Sequence, residues 1–375
     1  MLLAVGYHPL NGQVDRNAVW DAIGQVANAV LIQRHWRADM NPGGLDFHAS
    51  LAEDVAEARR RGLKVIIAFE LLAADRRRLE LPANLTGDFA STDVKNAYLA
   101  LLQKAAAEYR PDVFVVNVEA NLYKKHDPQG YANWVTGWRW TYQMLKSQNS
   151  SPSTKYCVSL SYSDYDGANC LDPGDLVKLK LFAADYAGYQ DLLAISLYPT
   201  CYGDPYTIPT GLLEGLSSIS SLPLFIAETG WPSEPFQITP DTTFPASQEA
   251  QRAYIEKLRA MAGSVSNLAG ITYISIVDPE DLVCQAIVQS YPALGWYCTL
   301  SVLDKQGAPK AAYSAMKTWR GGAGSPPPGK RPPPSEPPPI EPPEVLPPVP
   351  EAGAGHSMLT LALVAVALYA ATRWR

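Results

Sequence analysis

The first 320 residues alternate between short apolar runs and longer amphipathic segments, and this alternation limits the possible folds more than any other feature of the chain. The apolar runs are rich in aliphatic and β-branched residues and predict strands at 2–8, 30–36, 64–71, 113–119, 156–163, 193–198, 224–228 and 271–277. The segments that follow them predict helices at 16–28, 51–61, 92–108, 131–147, 176–186, 212–218, 248–262 and 310–319.

Eight strand–helix pairs in one stretch of this length predict an α/β fold, a single (β/α)8 or TIM barrel over residues 1–320. The alternative is a doubly wound open sheet. No predicted strand is followed by the Gly-x-Gly-x-x-Gly turn that binds phosphates in many open sheets, which favours the barrel. In a barrel, the polar residues that carry chemistry lie at the C-terminal ends of the strands.

Proline marks the end of this region, because 14 of the 32 prolines fall between residues 325 and 350. Residues 321–351 have no apolar periodicity and predict a disordered or polyproline II linker, with a docking ligand for a partner domain as the alternative. Residues 352–375 are largely apolar and about long enough for one membrane-spanning helix. A sorting tail that is cleaved and replaced by an anchor has the same composition.

The terminal arginines, Arg373 and Arg375, indicate a cytoplasmic C-terminus by the positive-inside rule. We therefore expect a cell-surface protein, anchored in the membrane by its C-terminus with the barrel outside. Residues 1–5 are too short and lack the basic residues of a signal peptide. Either an export signal lies upstream of Met1, which is the favoured expectation, or the C-terminal segment is inserted without a cleaved signal. We expect a monomer.

Charge and cysteine content exclude several classes of protein. The net charge of −6 gives no overall attraction for nucleic acid. The five histidines show no paired ligand spacing and the five cysteines form no C-x-x-C pair, so no metal and no cofactor are expected. Loop positions instead suggest two disulfides, Cys170 with Cys201 and Cys284 with Cys298, with Cys157 left as a buried thiol.

Two glutamates follow apolar strands. Glu119 ends the fourth predicted strand and Glu228 ends the seventh, so both are expected at the same mouth of the barrel. Buried charges are costly unless they are paired or used. Two carboxylates at one site suit hydrolysis of a glycosidic bond, where one donates a proton and the other attacks the sugar or activates water.

Other strand ends supply candidates for support of this pair. Arg34 ends the second strand and is expected beside Glu228, where its charge would keep the carboxylate ionised. Tyr198, after the sixth strand, is expected to donate a hydrogen bond to the same carboxylate. Further candidates at the strand ends are Tyr7, His8, His35 and Glu70.

Four segments resemble the clan A glycoside hydrolases, most of all the endo-β-1,3-glucanases and arabinogalactan endo-β-1,4-galactanases. Residues 226–233 read IAETGWPS and resemble the strand that carries the nucleophile. Residues 116–123 resemble the acid/base strand, 196–199 the tyrosine segment of strand six, and 303–313 the stretch before the last helix. The resemblance implies a retaining hydrolase of a β-linked polysaccharide that needs no cofactor.

By the same resemblance, Glu228 is the nucleophile, Glu119 is the acid/base, and Arg34 and Tyr198 hold the nucleophile. The family has an asparagine directly before the acid/base, whereas this chain has Val118 there. Either a bulge brings Asn117 into that place, or Asn121 substitutes for it.

The family also has a tryptophan on strand eight, and here Trp231 or Trp296 is expected to replace it as a platform for the sugar. Other aromatic residues expected in loops of this face are Trp36, Tyr202, Tyr206 and Tyr297. Because two family features are missing, the alternative is an inactive barrel that binds carbohydrate.

Overall fold

Eight parallel strands close into a barrel in the computed structural model, which describes residues 1–8, 12–38, 47–73, 75–148, 151–162, 175–239, 242–290 and 292–322. The strands are β1 (Leu2–Tyr7), β2 (Ala29–His35), β3 (Lys64–Glu70), β4 (Val113–Asn117), β5 (Lys155–Ser161), β6 (Leu193–Leu197), β7 (Leu224–Thr229) and β10 (Leu268–Tyr273). Each strand pairs with its neighbours in chain order, and β1 pairs with both β2 and β10. This closure confirms the predicted (β/α)8 barrel and excludes the open sheet.

Ten α-helices lie within the described ranges, including each of the eight predicted ones. They are α1 (Arg16–Val26), α2 (Phe47–Arg60), α3 (Thr92–Tyr109), α4 (Ala120–His126), α5 (Pro128–Gln148), α6 (Leu176–Asp185), α7 (Leu212–Ser217), α8 (Gln248–Ala262), α9 (Asp281–Ser290) and α10 (Ala311–Arg320). The sequence did not predict α4, α9 or the antiparallel hairpin of β8 (Phe236–Thr239) and β9 (Thr242–Phe244). All three follow the C-terminal ends of barrel strands. Insertions at this end of the barrel, called the upper mouth below, shape the surface around the site.

Local sequence explains where several helices begin. Asp15 caps α1 because its carboxylate accepts a hydrogen bond from the amide of Ala18 at 2.9 Å. Ser247 caps α8 in the same way, through the amide of Ala250 at 3.1 Å. These polar residues directly before amphipathic segments are the signals that a sequence reading can use.

The core has two layers, because alternate residues of each strand face the barrel interior or the helices. The interior is filled by small and aliphatic side chains such as Ala4, Leu31, Ala68 and Val115. The layer between strands and helices contains larger groups. Trp134 and Trp138 of α5 are buried in this outer layer.

An ion pair and a disulfide stabilise the loops beside the upper mouth. Lys310 forms a buried ion pair with Asp278, and its ammonium also donates to Ser233 Oγ at 2.9 Å. Cys284 and Cys298 form the predicted disulfide, which joins α9 to a 3-10 segment at Pro292–Thr299. These links hold the segment that carries Trp296.

The remaining cysteines agree with the sequence as far as the structure describes them. Cys201 is disulfide-bonded, and its expected partner Cys170 lies outside the described residues. Cys157 is a buried free thiol in β5, as predicted.

The proline-rich linker and the C-terminal apolar segment also lie outside the described residues, which end at Gly322. Among the helices within the described ranges, none is long and apolar enough to cross a membrane.

Candidate active site

A β-bulge precedes each of the two glutamates. On β4 the register advances from Val115 to Asn117 while β5 advances by one residue. On β7 it advances from Ile226 to Glu228 while β6 advances by one. Bulges change the direction of the side chains that follow them and are common next to active sites. A bulge in β4 was one of the two expected ways in which Asn117 or Asn121 could take the place of the family asparagine.

Glu119 lies two residues after the end of β4 and is the N-cap residue of α4. Its backbone is left-handed, with φ 54° and ψ 41°, and the residue is fully buried. Such a conformation costs a residue other than glycine about 1–3 kcal/mol, and residues that adopt it cluster at functional sites. The Glu119 amide donates to Ser159 Oγ at 3.3 Å, so β5 fixes the turn.

Three side chains connect Glu119 with Glu228. Arg76, in the loop after β3, binds Glu119 Oε2 through Nε at 3.1 Å and Glu70 Oε2 through its Nη1 at 3.2 Å. Gln33 Nε2 donates to Glu70 Oε1 at 2.5 Å and to Glu228 Oε1 at 3.1 Å. The two glutamates therefore share one polar network at the upper mouth of the barrel.

Tyr198 and Trp296 lie on the other side of Glu228. The Tyr198 hydroxyl donates to Glu228 Oε2 at 3.3 Å. Its ring packs against Trp296 with the ring centres 5.0 Å apart, and Trp296 contacts Tyr297 at 6.0 Å. An aromatic surface thus borders the carboxylate, on a segment held by the Cys284–Cys298 disulfide.

Burial raises the pKa of the Glu228 carboxyl well above its usual range, and the nearby charge of Glu119 raises it further. Arg76 and the Tyr198 hydroxyl act in the opposite direction, and Glu70 adds to the increase. The net effect is a pKa of about 8 for Glu228.

The prediction for Arg34 is wrong in this structure. Its guanidinium binds Asp54 of α2 at 2.5 Å and does not hold Glu228. Successive residues of a strand face opposite sides, so Arg34 points toward the helices while its neighbour Gln33 reaches the site. The side chain that reaches Glu228 is the amide of Gln33, which the sequence did not indicate.

The two candidate asparagines, Asn117 and Asn121, differ in their hydrogen bonding. Both polar atoms of Asn121 bind the backbone of Ser161, at 3.1 Å and 2.7 Å, so Asn121 is not available to replace the family asparagine. Asn117 is buried, and its Oδ1 has no hydrogen-bond partner within the described part of the chain. Val118 belongs to the apolar interior of the barrel.

Three aromatic residues expected at the site belong to the outer core. Trp231 is fully buried against Tyr254, Tyr7 packs on Trp20 at 4.4 Å, and Trp36 packs on Tyr98 at 4.9 Å. Trp231 therefore cannot act as the sugar platform, which leaves Trp296. The error has the same cause in each case, because sequence places a residue at a strand end without giving the face on which it lies.

The histidines lie at the edge of the network. His8 Nε2 contacts the carbonyl of Ile274 at 2.9 Å, and burial lowers its pKa. His35 lies 3.4 Å from Glu80, outside the carboxylate pair. Tyr202 is hydrogen-bonded to Tyr162 at 3.3 Å, and Tyr206 is exposed.

Arg76 is the second residue of this site, after Gln33, that the sequence did not indicate. It is the first of three consecutive arginines, residues 76–78, shortly after β3. A run of charges is usually a solvated surface, yet the Arg76 side chain is only 12% exposed. In the described ranges, no group of three or more His, Cys, Asp or Glu side chains is arranged to hold a metal ion.

No family model and no curated protein matches the chain. Solved structures do resemble it. A GH5_18 protein from Streptomyces cattleya, a glutamate-to-alanine variant in complex with Manb1-4GlcNAc, has a TM-score of 0.61 at 18% identity, over 87% of this chain and 82% of that one. A GH5_18 protein from Bifidobacterium longum, also a glutamate-to-alanine variant with the same ligand, gives 0.61 at 15% identity, over 86% and 78%.

Fungal beta-1,4-galactanases give a TM-score of 0.59 at 17% identity, over 80% of this chain and 90% of theirs. At these identities the likeness establishes the fold. The chain has the (β/α)8 barrel found in these glycoside hydrolases.

Proposed function

We propose that the protein is a retaining glycoside hydrolase that cleaves a β-linked polysaccharide. The observation that carries this proposal is the pair of buried glutamates at the C-terminal mouth of one barrel, joined by a polar network and bordered by Trp296. The resemblance of four sequence segments to clan A enzymes supports the same chemistry, and so does the shared fold.

The proposed mechanism uses the two carboxyl groups in two steps. Glu119 donates its proton to the leaving glycosidic oxygen while the Glu228 carboxylate bonds to the anomeric carbon. Glu119, now ionised, then takes a proton from water, whose oxygen replaces Glu228 on the sugar. The Tyr198 hydroxyl orients Glu228 throughout. Each cycle returns the proton to Glu119 and needs no cofactor.

The proposed substrate is an oligosaccharide or polysaccharide whose reactive sugar stacks on Trp296. A flat ring beside the nucleophile suits the apolar face of a sugar. Two neighbours with this fold contain Manb1-4GlcNAc, and others are galactanases. We therefore place β-1,4-linked mannosides and galactans, together with β-1,3-glucans, first among the candidates.

The test is reducing-sugar release from β-1,3-, β-1,4- and β-1,6-linked glucans and galactans and from β-1,4-mannosides. Glu228→Gln and Glu119→Gln should each abolish release from the substrate that the wild type cleaves. Asp54→Asn, which alters the partner of Arg34 outside the site, is the control. Absence of release from every substrate, or full activity in Glu228→Gln, would contradict the proposal.

The second candidate function is carbohydrate binding without hydrolysis. Two observations favour it. Arg34 binds Asp54, so it does not supply the positive charge that was expected beside Glu228. The Arg76 guanidinium forms an ion pair with Glu119, the proposed proton donor. Binding of one of these polysaccharides in affinity electrophoresis, with no sugar released, would support this function. Loss of that binding in Trp296→Ala would place it at the same mouth.

For the whole protein, we propose a monomeric barrel held above a membrane by the proline-rich linker. A polyproline stretch of 26 residues reaches roughly 80 Å at about 3.1 Å per residue. Support comes from the composition of residues 321–375 alone. Deletion of residues 352–375 should release the protein from cell membranes into the medium, and retention of the deleted form would contradict the anchor.

A further inference from the structure

Arg76 lies between two carboxylates inside the candidate active site. It contacts Glu119 and Glu70 at 3.1 Å and 3.2 Å, and its own backbone is left-handed with φ 59°. The loop thus adopts a costly backbone conformation that places a positive charge where the side chain is only 12% exposed. Nothing in the proposed two-carboxylate mechanism requires this residue.

Glu70 is the second uncharacterised member of the network. It binds Arg76 with one oxygen and Gln33 with the other, and Gln33 in turn donates to Glu228. Glu70 is therefore the junction between the side of the network that contains Glu119 and the side that contains Glu228.

We propose that Arg76 and Glu70 are positioning residues with opposite effects on Glu228, Arg76 favouring its ionised form and Glu70 its protonated form. The Arg76 guanidinium binds both Glu119 and Glu70, so its positive charge offsets the two carboxylates that share the network with Glu228. Glu70 is linked to Glu228 through Gln33, and its negative charge opposes ionisation of the Glu228 carboxyl.

The charged and titratable groups that face Glu228 come from several elements. Glu119 precedes α4, Glu70 is on β3, Arg76 follows β3, Tyr198 follows β6, and Tyr297 belongs to the segment 292–299. His8, just after β1, and His35 on β2 both lower the pKa of Glu70. Among them, Arg76 and Glu70 affect the pKa of Glu228 with opposite signs.

A catalytic consequence follows, and it rests on the proposed function. Glu228 attacks the sugar only as a carboxylate, so Arg76 assists the first catalytic step and Glu70 opposes it. The titration itself does not depend on hydrolysis and can be tested in the protein without substrate.

The experiment is a pH titration of the full chain with ¹³C-labelled glutamate side chains, followed by NMR of the carboxyl carbons. The signal of Glu228 is the one missing from Glu228→Gln. Arg76→Met removes the positive charge and should raise the pKa of Glu228 by about 1 pH unit, whereas Glu70→Gln should lower it. Arg76→Lys keeps the charge and should shift it less than Arg76→Met.

Arg78→Met is the matched control, because Arg78 is in the same loop but half-exposed and paired with Glu80. It should leave the titration of Glu228 unchanged. Shifts of the same sign in Arg76→Met and Glu70→Gln, or no shift in either, would overturn the proposal. Circular dichroism identifies any variant that fails to fold, and Arg76→Lys then carries the comparison with Glu70→Gln.

The outcomes separate this proposal from the proposed function. If the opposite shifts occur in a protein that hydrolyses no polysaccharide, the network is as described and the enzyme proposal fails. If hydrolysis occurs but the shifts do not, the enzyme proposal stands and the role of Arg76 and Glu70 is wrong.

Discussion

At the scale of single residues, the sequence indicated which strand ends carry chemistry but not which neighbour faces the site. Glu119, Glu228 and Tyr198 were singled out because each ends an apolar run, and all three lie at the mouth of the barrel. Gln33 and Arg34 are adjacent, and the face that each occupies depends on the strand register, which no local pattern encodes.

We predict that Tyr198→Phe weakens catalysis without loss of the fold. The substitution removes one hydrogen bond to Glu228, a contribution of about 0.5–1.5 kcal/mol, so kcat should fall up to about tenfold. Because the hydroxyl also lowers the pKa of Glu228, the pH profile should move upward. Steady-state kinetics from pH 4 to 9 measure both effects.

Tyr202→Phe is the control for this prediction, since the Tyr202 hydroxyl contacts Tyr162 and the residue lies on the same face of the barrel. If Tyr198→Phe matched the wild type in both kcat and pH profile, the hydrogen bond to Glu228 would have no catalytic role.

We also predict that Glu228 makes the protein less stable as the pH rises. The pKa of Glu228 is higher in the folded than in the unfolded chain, so the folded state binds more protons between those two values. The stabilisation is complete below the unfolded pKa and is lost as pH increases through the folded one. Each unit of difference corresponds to about 1.4 kcal/mol.

Urea denaturation at several values between pH 4 and 9 tests this sign. The free energy of unfolding of the wild type should decrease with pH more steeply than that of Glu228→Gln, which does not titrate. Identical slopes in the two proteins would show that the Glu228 carboxyl is not perturbed by folding.

At the scale of elements, the strands and helices were predictable, whereas the insertions above the barrel were not. Apolar alternation gave each barrel strand to within a few residues. The short α4 helix begins at a left-handed Glu119, which has no sequence signature because such a conformation is imposed by the surrounding packing. The hairpin of β8 and β9 lies between the predicted strand 224–228 and the predicted helix 248–262, where no element was predicted.

We predict that the connection between β10 and α10 depends on the Lys310–Asp278 ion pair. The two side chains are only 3% and 8% exposed. Lys310→Met leaves Asp278 buried without its partner and should destabilise the barrel by about 3–5 kcal/mol. Thermal denaturation should show a correspondingly lower Tm.

The double variant Lys310→Met with Asp278→Leu should recover much of this loss, because no buried charge remains unpaired. Lys305→Met removes a comparable pair with Asp281, but both of its members are well exposed, so its effect on stability should be small. A Lys310→Met protein as stable as the wild type would show that the ion pair does not fasten this connection.

At the scale of the whole molecule, the proline content of the sequence predicts a boundary between the barrel and the tail near residue 320. The outer layer of helices is completed where α10 packs against α1 and α8. Arg320, the last residue of α10, donates to the carbonyl of Ala27 at 3.1 Å, so contacts to the barrel continue to the end of this helix. Proline-rich sequence begins a few residues later and cannot build a packed core.

Two truncations test whether the barrel is complete at this boundary. A chain that ends at Gly322 keeps α10 and should retain the Tm and any activity of the full protein. A chain that ends at Thr299 loses α10 and with it the burial of Tyr313 and Met316. Burial of a side chain such as Met316 contributes about 1.5–3 kcal/mol, and its loss also exposes the apolar faces of α1 and α8. We therefore expect the shorter chain to unfold or aggregate, as measured by circular dichroism and gel filtration. A folded shorter chain would mean that the barrel is stable without α10.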